Sequence, residues 1–439
     1  MIKSKYFLKE EKVFRNILNE YAKFANDSKD VILSIQKLPW YNDEPKIFSY
    51  SVSYKTKHGT DGNIASGFSF NKEMALIRVL GETAERYCLD NYSSRNVLTS
   101  STKDIKFSHL DPLSIAAFSK NQLKKDSLKK FRVNSKTQFR WVKGISLSEN
   151  KTIFVPSQLI TIDRKEEGDK LILNPISTGT AAGLSLDNTI YRGICEIIER
   201  DGFMISYLNK LPVAKIDLLS IKSKTIRKFL EIFNRYNLEL VVLDITTDLG
   251  VSTFAALTLD RTGLGPAVSV GIKAGLDVIP CIIGAIEESL MTRSWLRDKF
   301  VYKDPDYKRK GEITDIADRA HFWFPINSIK YLDFWLGGKK IKKVQRKEFS
   351  LPVDLLATIL RLLKEKDIEV VYVDITHPKI KQHGIVVIKV FIPKLQPLYL
   401  DERYPYLGGS RLYEVPVQLG FLKVPNQEFQ LNKIPHPFL

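Results

Sequence analysis

Gly81-Glu82-Thr83-Ala84-Glu85-Arg86-Tyr87 and Cys195-Glu196-Ile197-Ile198-Glu199-Arg200-Asp201 carry one pattern, Glu-x-x-Glu-Arg, in two otherwise apolar stretches with helical spacing. Glutamates three apart share a helix face and repel by roughly 0.2–0.5 kcal/mol. Repeating that arrangement calls for a compensating cation, and a bound metal ion is the natural candidate. On a helical wheel the carboxylates of each pair lie about 60° apart. Ile77, Leu80, Ala84, Tyr87 and Cys88 in the first stretch, and Ile190, Ile194, Ile197 and Ile198 in the second, form a separate apolar stripe. Both pairs, Glu199 included, are therefore expected on an exposed helix edge, each with an Arg beside it.

Hard cations such as Mg2+ take oxygen ligands and commonly bridge one or two carboxylates to substrate phosphates. Four glutamates suffice for two ions, and Arg86 and Arg200 are suited to phosphate oxygens. The alternative is two ordinary solvent-facing charge pairs with each Arg as an intrahelical counter-ion. A third acidic stretch, Glu287-Glu288-Ser289-Leu290-Met291-Thr292-Arg293, favours the metal–nucleotide reading. So does Ser177-Thr178-Gly179-Thr180-Ala181-Ala182-Gly183 ahead of the second helix, where small residues let backbone N–H groups approach a phosphate. Familiar nucleotide motifs are missing: there is no G-x-x-x-x-G-K-[ST], and Gly263-Leu264-Gly265-Pro266 does not continue as G-x-G-x-x-G. H-E-x-x-H and G-x-S-x-G are also absent.

The 439 residues, 44% of them hydrophobic, are ample for a packed core. Three unpaired cysteines, Cys88, Cys195 and Cys281, read as inert core thiols rather than a disulfide or zinc framework. The formal charge of +17 comes from basic residues spread over separate segments, Lys124 to Arg132, Lys303 to Lys310 and Lys339 to Lys347. A lysine-rich solvated surface is expected, with no nucleic-acid partner. The N-terminus has no apolar signal stretch, and Lys273 and Asp277 break the most apolar region, so a cytoplasmic protein is expected.

Outward from the acidic stretches, the pattern predicts helices at Lys72–Leu89, Lys222–Tyr236, Pro280–Lys299 and Val353–Lys366, and a hairpin over Gln138–Ile162. Leu240 to Asp260 and Val370 to Pro393 each read as strand, Asp-Ile-Thr loop and strand. The fold class is α/β, in α+β layers. Residues 1–60 form a lead-in helix and strand, 61–403 the main domain, and 404–439 a proline-containing tail of low helical tendency. Lys339 to Lys347 is expected to be an exposed linker.

The acidic stretches, the Ser177–Gly183 segment, Ala285 to Arg293 and Pro435-His436-Pro437-Phe438-Leu439 resemble, in this order, the YcaO-domain family, most closely the cyclodehydratase component of thiazole/oxazole-forming peptide maturases. The resemblance implies a YcaO-like fold of packed strand–helix subdomains forming a composite ATP site. Carried over by position, Glu82, Glu85, Glu196, Glu199 and Glu288 would hold Mg2+, while Arg86, Arg200, Arg293 and Ser177 would contact ATP. Family members use ATP to activate a peptide-bond oxygen after a neighbouring Cys, Ser or Thr attacks the carbonyl, leaving an azoline. Pro435 and Pro437 would bring the end of the tail to the active site, with the Leu439 carboxylate as proton acceptor. Expected partners are a precursor peptide, a leader-binding ThiF-like (E1-like) protein and a flavin-dependent azoline oxidase, with a homodimer inside the larger complex. Backbone thioamidation and a non-catalytic nucleotide-binding scaffold are the competing readings.

Overall fold

Apolar, strand-forming runs assemble into three sheets in the computed structural model, which describes residues 2–56, 63–92, 97–160, 170–301, 312–344 and 354–439. The first sheet is an antiparallel meander of β1 (Ile32–Lys37), β2 (Phe48–Tyr54) and β3 (Asn63–Ser69). The second sheet has six strands. They are β4 (Leu98–Ser101), β5 (Gln138–Ser146), β6 (Lys151–Pro156), β7 (Thr180–Gly183), β13 (Val371–Asp374) and β14 (Val386–Phe391), in the order β4-β5-β13-β14-β7 with β6 paired to β5. The third runs β11-β10-β9-β8-β12, from β8 (Lys215–Ile216), β9 (Glu239–Asp244), β10 (Ser252–Leu259), β11 (Val268–Gly275) and β12 (Ile341–Lys342). The mixed layered architecture expected from the sequence is observed, and the β5–β6 hairpin turns at Asn150, whose φ of 48° suits an asparagine.

Five long helices cover these sheets: α1 (Ile2–Asp27), α2 (Lys72–Asp90), α3 (Leu186–Leu208), α4 (Lys224–Arg235) and α5 (Val278–Val301). Asn71 caps α2 by accepting the Met74 N–H at 2.8 Å. Successive residues of β10 show how the third sheet is sandwiched. Phe254 and Ala256 pack with α4 and α5, whereas Ala255, Leu257 and Leu259 join Phe203, Tyr207 and Phe438 on the other face. Helix α3 is buried continuously from Ile198 through Leu208, whereas in its first half Arg192 is exposed and Glu196 half-buried.

Two expectations change. Lys339 to Lys347 is not simply a linker: Ile341–Lys342 pairs in parallel with Lys215–Ile216, while residues 345–347 lie outside the described residues. The tail contains a helix, Arg411–Gln418, despite Pro416 inside it. The proline ring removes the bond to the Leu412 carbonyl, and Asn209 Nδ2 donates to that carbonyl instead at 2.8 Å. Burial of Leu412 and Val415 outweighs the proline's low propensity.

Glycines set how near the helices come to the sheets. A Cβ at Gly67 in β3 would sit 2.1 Å from the Val79 nitrogen of α2, and one at Gly271 in β11 would sit 2.3 Å from both Ala285 O and Ser289 N of α5. Gly271→Ala is expected to destabilise the fold by about 1–3 kcal/mol through overpacking. Gly81→Ala, whose Cβ would meet nothing nearer than 3.5 Å, is expected to be neutral or stabilising. Urea denaturation of the two variants measures the contrast.

Candidate metal–nucleotide site

Three of the strands just described end their sheets: β3, β7 and β11 each pair on one side only among the described residues. Their outward N–H groups need acceptors, and glutamates from the covering helices supply them. Glu82 accepts from Ser66 of β3 at 3.3 Å, and Glu85 from Ala182 of β7 at 2.9 Å. Glu196 accepts from Gly179, in the turn entering β7, at 3.1 Å. Glu199 accepts from Ala274 of β11 at 3.0 Å and Glu288 from Ile272 of the same strand at 2.6 Å. Residues 272 and 274 are two apart, so their N–H groups emerge on the same edge.

Each of the five carboxylates is therefore anchored by one oxygen to one backbone N–H. Arg86 Nε lies 3.6 Å from Glu82 Oε1, and Arg200 Nη2 lies 3.3 Å from Glu196 Oε1. Among the described residues the second oxygens of Glu85 and Glu288 have no hydrogen-bond partner. Arg200 bridges the halves, reaching Glu199 Oε2 at 3.8 Å as well as Glu196. Three of these acids, Glu82, Glu85 and Glu288, resist ionisation in this setting. Burial, reinforced by Glu196 and Glu82 and opposed by Arg192, pushes Glu85 up to about 8. Burial pushes Glu288 up to about 7, with Glu199 adding and Arg200 and Lys273 opposing. Glu82 shifts upward for the same primary reason.

Glu199 corrects the expectation of exposure. It is 2% exposed and ion-paired to Lys273 Nζ at 2.7 Å, because α3 is covered by β11 on the side where the wheel left a polar edge. Arg293 is not brought to this cluster: its Nε, Nη1 and Nη2 donate to Glu44, Pro266 O and Asp260 in a buried network. Ser177 lies in the turn beside Gly179, its carbonyl accepting the Thr180 N–H at 2.9 Å. In the tail, the Pro435 carbonyl is held by Tyr207 and Trp323, and the Phe438 ring, between Pro437 and Leu439 in the sequence, lies 4.2 Å from the Arg200 guanidinium.

Three cations that the motifs do not mark stand beside the glutamates: Lys273, Arg192 and Lys389. A lone lysine in Val386–Phe391, otherwise wholly apolar, was the available signal. Lys389 is buried and donates to the Ile176 carbonyl at 2.6 Å. Burial and nearby Arg86 hold its pKa down to about 7, against Glu196 and Glu85. The cysteines are buried, and burial pushes the Cys88 and Cys195 thiols up to about 12.

The donor set fits a hydrated divalent ion shared with phosphate. Among the described residues no three acidic, His or Cys side chains already close on one point. Mg2+ takes one or two carboxylates and completes its shell with water and phosphate, so a full protein cage is not required. Arg200 Nε and Nη1 and Thr180 Oγ1 are buried without hydrogen-bond partners, which leaves donors available to an incoming acceptor. No helix among the described residues is long and apolar enough to cross a membrane.

Residues 66–396 match the family model described as YcaO cyclodehydratase, ATP- and Mg2+-binding. An uncharacterized protein of Methanothermobacter thermautotrophicus is 24% identical over 80% of this chain and 85% of its own length. A solved heterocyclase in complex with substrate and cofactor superposes with a TM-score of 0.73 at 21% identity, covering 93% of this chain and 55% of that one. The chain thus spans little more than half the length of that heterocyclase. YcaO from Methanopyrus kandleri, solved with AMPPCP and Mg2+, gives a TM-score of 0.64 at 13% identity, with 90% and 94% coverage.

Because Glu85 is harder to ionise when folded, the folded state holds more protons than the unfolded one between about pH 4.5 and 8. Its contribution to stability therefore falls as pH rises through that window. The thermal midpoint of the metal-free wild type minus that of Glu85→Gln should decline from pH 5 to pH 8, and Mg2+ should reduce the decline. A flat difference would mean that Glu85 ionises normally.

Proposed function

The chain belongs to the YcaO family, and we propose that it is an ATP- and Mg2+-dependent cyclodehydratase acting on backbone amides of a ribosomally made precursor peptide. The observation that carries this reading is the set of five carboxylates on three helices, each fixed through one oxygen to a backbone N–H, with Arg200 in contact with Glu196 and Glu199. Glu82, Glu85 and Glu196 would hold metal on one side of Arg200, and Glu199 and Glu288 on the other. When bound, Mg·ATP would supply positive charge and a phosphoryl group that turns the amide oxygen, a poor leaving group, into phosphate.

The chain's own residues then have distinct tasks. Arg86 and Arg200 present guanidinium donors to phosphate oxygens, and the turn from Ser177 to Gly179 offers backbone beside them. Pro435 and Pro437 fix the approach of the tail, so that Phe438 holds one face of Arg200 and leaves its unpaired donors facing elsewhere. The Leu439 carboxylate is assigned the proton lost by the attacking Cys, Ser or Thr. We assign leader recognition to a ThiF-like partner and any azoline oxidation to a flavin enzyme.

The full test combines chain, partner, precursor, ATP and Mg2+ and weighs the peptide. Loss of about 18 Da per site is expected, whereas a gain of about 16 Da would mean thioamidation. No mass change with ATP bound would leave a scaffold. Glu196→Gln, at a side chain 25% exposed, should abolish Mg2+-dependent nucleotide binding with little change in stability. Glu199→Gln should also cost stability, roughly 1–3 kcal/mol, because it removes a buried acceptor of the Lys273 ammonium. Calorimetric titration and urea melts separate the two effects.

A further inference from the structure

A cavity of about 100 Å³ adjoins the site where β14, α3 and the Ser177 loop meet. Its wall is aliphatic, with Ile115, Leu173 and Ile176 half-buried around it, and its polar lining includes Arg200, Lys389 and Gln396. Three atoms of these side chains lack hydrogen-bond partners: Arg200 Nε and Nη1, which donate, Nη1 having only the 3.8 Å ion pair to Glu199, and Gln396 Oε1, which accepts. The amide orientation of Gln396 is fixed, since Nε2 donates to the Tyr406 carbonyl at 2.8 Å and to Pro397 O. Lys389 adds an ammonium that donates to the Ile176 carbonyl and has three N–H donors in all.

Buried polar atoms are ordinarily satisfied, so unpaired donors and an unpaired acceptor beside one apolar recess describe what belongs there. A peptide unit carries one C=O acceptor and one N–H donor next to a side chain. A phosphate offers acceptors only and would leave Gln396 Oε1 unpaired. The size is informative too: a cavity of about 150 Å³ takes a benzene ring, so this one suits a branched aliphatic side chain and excludes an indole.

We propose that this cavity is the acceptor subsite for the peptide, receiving the aliphatic side chain of one residue while Arg200 and Lys389 bind its carbonyl oxygen and Gln396 its N–H. The assignment rests on the reading of the chain as an enzyme of peptide amides, and it adds a side-chain preference. Arg200 then has two duties, since its remaining contacts lie among the metal-site glutamates. An amide oxygen held there is delivered directly to the phosphate-binding groups.

The test uses the full chain with N-acetyl-leucine methylamide and N-acetyl-glycine methylamide, followed by ligand-observed NMR. The leucyl amide should bind at least about tenfold more tightly, the effect of burying a sizeable apolar group. Ile115→Trp and Leu173→Trp, at half-buried positions outside the metal cluster, should each remove that preference while keeping Mg2+-dependent binding of a non-hydrolysable ATP analogue. Equal binding of the two amides by the wild type, or a leucine preference that survives both tryptophans, would overturn the subsite. A leucine preference without any Mg2+-dependent nucleotide binding would support the subsite and count against the cyclodehydratase reading.

Discussion

An unpaired backbone N–H at the edge of a sheet must find an acceptor, and in this protein that requirement and the placement of charge are met by the same atoms. Ser66, Ala182, Ile272 and Ala274 lie on strands that end their sheets, and each donates to a glutamate from a helix. A neutral acceptor would have closed the edges equally well. Glutamate closes them while leaving a second anionic oxygen directed elsewhere. Glu85 reaches from α2 to β7 and Glu199 from α3 to β11, so these bonds also join one layer to the next.

Gathering like charges in a water-poor space has an electrostatic cost, visible in the upward shifts of Glu82, Glu85 and Glu288. Arg200 and Lys273 relieve part of it on the Glu199 side. Lys389 shows the reciprocal strain, a buried ammonium whose charge is opposed by burial and by Arg86. Burial thus holds Glu82, Glu85, Glu288 and Lys389 of the metal-free site away from their charged forms, a perturbation that functional sites commonly show.

Local signals made much of this legible. Spacing of apolar residues located α2, α3, α4 and α5 to within a few residues, and the repeated Glu-x-x-Glu-Arg marked the acids that the structure brings together. What failed depended on partners distant in the chain. A helical wheel shows which residues share a face but not what covers that face, so Glu199 looked exposed although β11 lies over it. Arg293 looked like Arg86 and Arg200, but its neighbours Glu44 and Asp260 lie 249 and 33 positions away. Lys389 was inconspicuous because its surroundings are a cavity built from six separate stretches of chain.

Sheet edges left open are templates for intermolecular pairing. Here the residues that guard β3, β7 and β11 are the ones assigned to hold metal, so the protein's chemistry and its resistance to self-association draw on one set of side chains. Evolutionary drift toward a cofactor-free descendant would have to retain those acids, or find other covers for three exposed ladders, before it could abandon them.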